Sequence, residues 1–218
     1  MVIAIAGAHG QIARRLSRLL AGRGDTVIGL IRNPDQADDV RQDGASPVVC
    51  DLEAATVDEV AGAIRGADAA VFAAGAGPGS GAERKLTMDR DGAVKFLRAA
   101  TSAEVARFLI VSSVGAENPP DGDDVYSVYQ RAKGEADRAV QASDGAWTII
   151  RPGRLTDDPG TGHVRIATDP FRGEVPRDDV AAVIARVLED DRFSRRVLYV
   201  NSGEESIEDA LNRALTNA

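Results

Sequence analysis

The chain has one cysteine among its 218 residues, Cys50, so no disulfide closes within it and no thiolate-rich metal site can be assembled. Histidine is nearly as scarce: His9 and His163 lie far apart in sequence, which argues against a zinc site, and no metal is expected. Aromatic residues make up only 4% of the chain and offer no stacking platform from which a flavin or another planar ligand could be inferred. Basic residues are outnumbered, 26 Lys and Arg against 34 Asp and Glu, for a formal net charge of -8. Nucleic-acid binding draws its affinity from a basic face, so nucleic acid is not an expected partner. No apolar run approaches the roughly 20 residues that span a bilayer, so no membrane association is expected. The start, MVIAIAGAHG, is apolar but runs straight into a glycine turn, without the basic residues and cleavage site of a signal peptide. The expected location is therefore cytoplasmic.

What is present has the balance of a globular protein, 44% hydrophobic and 28% charged. Short apolar runs alternate with longer amphipathic ones, which predicts parallel strands joined by crossover helices. Strands are predicted at Val2–Ala6, Thr26–Ile31, Pro47–Cys50, Ala69–Ala73, Phe108–Ser112, Trp147–Arg151 and Val197–Val200. Helices are predicted at Gln11–Ala21, Asp35–Arg41, Val57–Ile64, Arg90–Ser102, Val125–Ser143, Arg177–Glu189 and Ser206–Leu215. The expected fold class is α/β: a single-domain, Rossmann-type, doubly wound parallel sheet with flanking helices. No interdomain linker is visible, and residues 154–218 leave room for a small lid on the substrate side rather than a second domain. The Gly- and Pro-rich stretches Ala73–Arg84, Asn118–Asp124 and Thr156–Asp169 follow strands. As loops they would gather at the carboxyl edge of the sheet, where such folds hold ligands. Substrate specificity is expected in Pro78–Lys85 and Thr156–Asp169.

The first strand leads directly into Gly7-Ala8-His9-Gly10-Gln11-Ile12-Ala13. A tight turn without side chains lets backbone N–H groups and the positive end of a helix approach a pyrophosphate. Gly7, His9, Gly10, Gln11 and Ile12 are the expected contacts, although glycine turns after strands also occur for structural reasons alone. An NAD-binding chain would carry an acid after the second strand to hold the ribose hydroxyls; here the residue is Arg32. A guanidinium there would pair with a 2'-phosphate, so NADP(H) is the expected cofactor, with Arg14 as a second contact. The ordinary alternative is that Arg32 only ends a strand. Asp51 and Leu52 would meet the adenine, unless Asp51 serves as a helix cap. Ala73, Ala74 and Gly75 would let the cofactor lie against the backbone. Farther on, Tyr129 and Lys133 stand four apart on a predicted helix and so share a face. A nearby ammonium favours the phenolate and would lower the tyrosine pKa from about 10. A solvated Tyr and Lys is the plain alternative.

With these residues in order, the chain resembles the atypical short-chain dehydrogenase/reductases. It is most similar to their compact NAD(P)-binding, NmrA-like group, which includes flavin reductase and biliverdin reductase B relatives. The resemblance continues through Val111-Ser112-Ser113-Val114-Gly115-Ala116, Tyr129-x-x-x-Lys133, Ile150-Arg151-Pro152-Gly153 and Arg177-Asp178-Asp179-Val180-Ala181, and covers essentially the whole chain. It implies hydride transfer between NADP(H) and a small carbonyl, quinone or flavin-like compound, with Tyr129 as proton donor and Lys133 also holding the nicotinamide ribose. Ser113 would hydrogen-bond the substrate oxygen, with Ser112 as the competing choice. Asp91 stands where the larger family has a catalytic asparagine. Pro152, Gly153 and Leu155 would line the nicotinamide amide, while Arg177 and Asp178 are read as capping and packing residues. Two other functions stay open: a non-catalytic NADP(H)-sensing module acting on a regulatory protein partner, and a sugar epimerase or dehydratase. A homodimer is open too.

Overall fold

A chain that repeats strand, turn and helix lays its strands side by side in parallel, because each helix must cross back over the sheet before the next strand begins. The computed structural model describes residues 1–77 and 79–216. In it, β1 (Val2–Ala6), β2 (Thr26–Ile31) and β3 (Ala45–Val49) are joined through α1 (Gln11–Gly22) and α2 (Ala37–Gln42). Next come α3 (Val57–Ala63), β4 (Ala69–Phe72), the short α4 (Ala82–Arg84), a π-helical segment over Lys85–Gly92, and α5 (Ala93–Ser102). β5 (Arg107–Val111), α6 (Val125–Gln141) and β6 (Ala146–Pro152) follow. The rest comprises β7 (Arg154–Thr156), β8 (His163–Ala167), β9 (Glu174–Pro176), α7 (Arg177–Val187), β10 (Arg196–Ser202), β11 (Glu205–Ser206) and α8 (Ile207–Thr216).

The main sheet runs β11-β8-β10-β6-β5-β4-β1-β2-β3, parallel except where β8 pairs with β10 and β11. β1 lies between β2 and β4, so the strand order reverses there and a crevice opens beyond its carboxyl end. The expected doubly wound fold is thus present. Alternation along β1 shows how both faces are covered. Ile3 and Ile5 pack under α1, α7 and α8, while Ala4 and Ala6 face the layer that holds Phe72, Phe96, Ile110 and Ile149. On α1 the buried residues Ile12, Ala13, Leu16, Ser17 and Leu20 recur at helical spacing.

Three departures from the sequence reading have physical causes. β3 begins at Ala45 and contains Pro47, which is tolerated because this strand is the sheet edge. Thr156–Asp169 is not a plain loop: its centre is β8, where buried Val164 and Ile166 alternate with exposed His163 and Arg165. That period of two is short and hidden among turn residues. The helix expected from Arg90 begins at Ala82 and passes through the π-helical segment, which widens the turn and shifts the phase of every later side chain. β8, β10 and β11 carry much of residues 154–218 into the main sheet, leaving the β7–β9 pair outside it. No described helix is long and apolar enough to cross a membrane. Pro78, expected in the specificity loop, lies outside the described residues.

Candidate active site

The glycine turn is shaped by close approach. Gly7 has φ +76°, and a Cβ on it would lie 2.6 Å from the Ala74 Cα, so neither the conformation nor the space suits another residue. Gly10 is the N-cap of α1, with no side-chain cap and no acid in the first turn. The amides of that turn and the positive end of a 12-residue helix are left for an anion. A cavity of about 390 Å³ opens at this point, lined by Gly7, His9, Gly10, Arg32, Cys50, Asp51, Leu52, the run Ala73–Gly77 and Arg84 among others. This glycine cradle fits the pyrophosphate of a dinucleotide.

Around that cavity the expected contacts separate into two groups. Arg32 lines it with its side chain 53% exposed and 4.0 Å from Glu53. His9 lines it too, with Nε2 2.8 Å from Asp39. Leu52 is buried in the wall, and Asp51 turns back to accept the Glu53 amide at 3.0 Å. Arg14 and Gln11, by contrast, do not line it. Arg14 donates to Asp43 at 2.5 Å and Asp39 at 3.3 Å, which locks its guanidinium against α2 and the turn that follows, so it makes no second contact in the cavity. The Gln11 side chain accepts from Arg15 at 2.6 Å. Arg84, which no motif announces, lines the cavity, and Glu53, which does not line it, holds that guanidinium. Glu53 accepts from Arg84 Nη2 at 3.1 Å and from Thr87 at 2.6 Å. Burial pushes the Glu53 carboxyl up, but Thr87 and the two arginines bring it below its ordinary value.

A second cavity of about 570 Å³ shares the Ala73–Gly77 wall and continues past Ile12 to Tyr129, Lys133, Asp89, Lys85 and Leu155. Asp124 starts α6 by accepting the amides of Tyr126 and Ser127, and the helix then presents Tyr129 and Lys133 on one face. Lys133 is buried, donates to the Val111 carbonyl at 3.0 Å and pairs with Asp89 at 3.3 Å. Its Nζ is 5.9 Å from the Tyr129 ring centre. Burial alone would lower the Lys133 pKa, but Asp89, then Tyr129 and Asp137, more than reverse this. The tyrosine departs from expectation. Burial pushes the Tyr129 phenol above its ordinary value of 10.0, and the Lys133 charge opposes the shift without cancelling it. Tyr129 is thus held as a phenol, the form that donates a proton.

The carboxylate beside this pair is Asp89 rather than Asp91. Asp89 is 1% exposed and also accepts the Ala76 amide at 3.2 Å, whereas the Asp91 side chain is 54% exposed and held by Arg90 at 2.7 Å. The two aspartates are two apart, and the π-helical phase decides which faces inward. No spacing in the sequence announces that choice. Of the two serines, Ser112 commits its hydroxyl to Asp137 at 2.7 Å. Ser113 accepts from Gln130 at 3.2 Å and donates to the Val114 carbonyl at 3.2 Å, and it does not line the cavity, whereas Ser112 does. Behind them Arg151 binds Asp137 at 2.9 Å and the Tyr199 hydroxyl at 2.5 Å, a buried brace under β5 and β6. Leu155 reaches the cavity, but Pro152 and Gly153 do not line it. A Cβ on Gly153 would collide with Asn201 and Gly173, so that glycine serves packing. Arg177 pairs with Asp157 and Asp178 with Arg15, away from both cavities. Among the described residues no cluster of His, Cys, Asp and Glu could hold a metal.

A doubly wound sheet with an uncapped glycine turn at its switch point defines a dinucleotide-binding Rossmann protein. The chain belongs to the NAD(P)H-binding family, whose pattern matches residues 7–191. It is 36% identical over 98% of its length to YhfK of Bacillus subtilis, named as an uncharacterized sugar epimerase, and spans 100% of that protein. It is 33% identical to the Saccharomyces cerevisiae protein YMR090W, over 95% of this chain and 96% of that one. Among solved structures, a Bacillus halodurans protein assigned to the NAD-dependent epimerases/dehydratases superposes with a TM-score of 0.91 at 33% identity, over 98% of this chain and 99% of that one. The Lactococcus lactis oxidoreductase YlbE gives a TM-score of 0.88 at 29% identity, over 99% and 97% of the two chains.

Proposed function

We propose that this protein is an NADP(H)-dependent oxidoreductase of the compact, NmrA-like short-chain dehydrogenase/reductase type that reduces a small carbonyl, quinone or flavin-like compound. The observation that carries this reading is the Tyr129 phenol, held protonated beside the buried Lys133–Asp89 pair in a cavity continuous with the glycine turn. The bound nicotinamide supplies the hydride. Tyr129 gives its phenolic proton to the substrate oxygen as a carbonyl is reduced, the Lys133 ammonium steadies the phenolate left behind, and solvent restores the proton. Ser113, whose hydroxyl accepts from Gln130, turns from the Val114 carbonyl to orient the same oxygen. Arg32 pairs with the 2'-phosphate and selects NADPH over NADH. The L. lactis relative named as an oxidoreductase agrees with this reading.

Relatives named as epimerases raise a second reading, conversion of a sugar. The cavity wall favours the first. Its hydroxyls are largely committed, Ser112 to Asp137 and Ser80 to the Gly77 carbonyl, and Val111, Val125 and Leu155 supply apolar surface, so little is left to hold a ring of sugar hydroxyls. The test is turnover of carbonyls, quinones and flavins with NADPH in wild type and Tyr129→Phe, with NADPH and NADH affinities read by calorimetry. Loss of the proton donor should lower turnover by about 10²- to 10⁴-fold. Arg32→Ala should cost about tenfold or more in NADPH affinity and spare NADH. Unaltered turnover in Tyr129→Phe removes that residue from the mechanism, and equal wild-type affinity for the two dinucleotides removes the NADP assignment.

A further inference from the structure

We propose that the second cavity takes a ligand with an apolar body and one anionic group, and that the Lys85 ammonium recognises that group. This rests on the reading of the cavity as the substrate site and names the chemical class of the substrate. Three charged side chains line the cavity: Lys85, Asp89 and Lys133. Asp89 and Lys133 pair at 3.3 Å and are both buried, so their charges cancel. Lys85 makes no ion pair with any described residue, and its Nζ donates only to the Gly77 carbonyl at 3.0 Å. An ammonium has three donors and nothing to accept with, so two remain for a ligand.

Its sequence neighbour shows what a satisfied cation looks like here. Arg84 turns to the first cavity and is paired with Glu53, which also draws Arg32 to 4.0 Å. In a chain of net charge -8, an unpaired cation on a cavity wall is a local reversal of sign that favours an anion. The cofactor's pyrophosphate does not fill this role, because the uncapped α1 terminus that fits it lies on the first cavity, whereas Lys85 sits over the Tyr129 ring at 5.5 Å. The rest of the wall chooses the body of the ligand. Val111 and Leu155 are apolar, and Val125 and Tyr126 at the mouth are 45% and 61% exposed. A carboxylate-bearing aromatic or aliphatic carbonyl compound would cover that surface while its anion meets Lys85.

The test uses the full chain saturated with NADP⁺ and two probes of nearly equal shape, naphthalene-2-carboxylate and naphthalene-2-carboxamide, titrated by calorimetry. In wild type the carboxylate should bind about tenfold tighter than the amide or better, a difference of about 1.4 kcal/mol. Lys85→Gln should bring the two within about twofold, and Lys85→Arg should keep the preference, since a charge-assisted contact is lost in one variant and retained in the other. Equal binding of both probes to wild type, failure of both to bind, or a carboxylate preference that survives Lys85→Gln would each overturn the proposal. So would a loss of about tenfold in NADP⁺ affinity in Lys85→Gln, because the ammonium would then serve the cofactor. NADP⁺ is titrated first. Absence of its binding defeats the oxidoreductase reading, while the carboxylate preference is still read on the free protein.

Discussion

The two cavities share one wall and are built on different principles. The first is made of absent side chains: Gly7 pressed against Ala74, Gly10 leaving α1 uncapped, and alanines at the end of β4. The second is made of side chains that meet from distant parts of the chain, with Asp89 from the π-helical segment facing Lys133 and Tyr129 on α6. A backbone cradle is written within a few consecutive residues, and one added methyl group spoils it. A buried charge pair is written in two places, and it is spoiled by removing either half.

Breaking the charge pair should have the largest effect. In Lys133→Met the Asp89 carboxylate stays buried without its cation, and stability should fall by about 3–5 kcal/mol in urea unfolding. Adding Asp89→Leu should recover most of that loss, because replacing both members of a buried pair is far less costly than removing one. A loss under about 1 kcal/mol in Lys133→Met would mean that water reaches Asp89 and that the pair is not buried as described.

The glycine cradle should respond less in stability and more in binding. Gly7→Ala brings a Cβ to 2.6 Å from the Ala74 Cα at φ +76°, and should cost about 1–3 kcal/mol and abolish dinucleotide binding in a calorimetric titration. Gly24 supplies the contrast: its φ is +90°, but no atom lies within 4 Å of where a Cβ would stand. Gly24→Ala should therefore cost only the left-handed backbone, about 1 kcal/mol, and leave binding intact. If the two substitutions act alike on binding, close approach is not what makes Gly7 special.

The same difference explains what is legible in the sequence. The parallel strands, α1 and the cavity around Gly7, Arg32, Leu52 and Ala73–Gly75 follow from local pattern, and the structure brings these residues together. Arg14 looks free in the sequence because its partner Asp43 lies at the far end of α2, beyond any local window. Asp91 takes the place that belongs to Asp89 because a π-helical segment rotates the helix, and no residue type marks such a segment. The Tyr129 shift depends on burial by the whole fold, whereas the Lys133 charge that opposes it is visible four residues away. β8 is hidden because five alternating residues between glycine-rich turns look like loop. Lys85 can be seen but not weighed, since an unpaired cation is defined by every carboxylate that fails to reach it.

The smallest effects belong to pH, and they separate the two aspartates. Tyr129 and Lys133 both hold their protons more tightly in the folded chain than at their ordinary values of 10.0 and 10.5. Their contribution to stability is therefore complete below pH 10.0 and is lost as pH rises through the folded values. Activity should follow the same sign: reduction, which needs the phenol, should stay level from neutral pH to about 10 and fall beyond it, while the reverse oxidation should climb throughout. Asp89 is one of the charges that raise the Tyr129 value, so Asp89→Asn should move the fall in reduction to lower pH. Asp91→Asn exchanges a half-exposed carboxylate held by Arg90 and should leave the profile in place, with a stability change of no more than about 0.5 kcal/mol. A profile that moves with Asp91→Asn and not with Asp89→Asn would return the catalytic neighbour to Asp91, and the buried pair would then serve only to brace α6 against the π-helical segment.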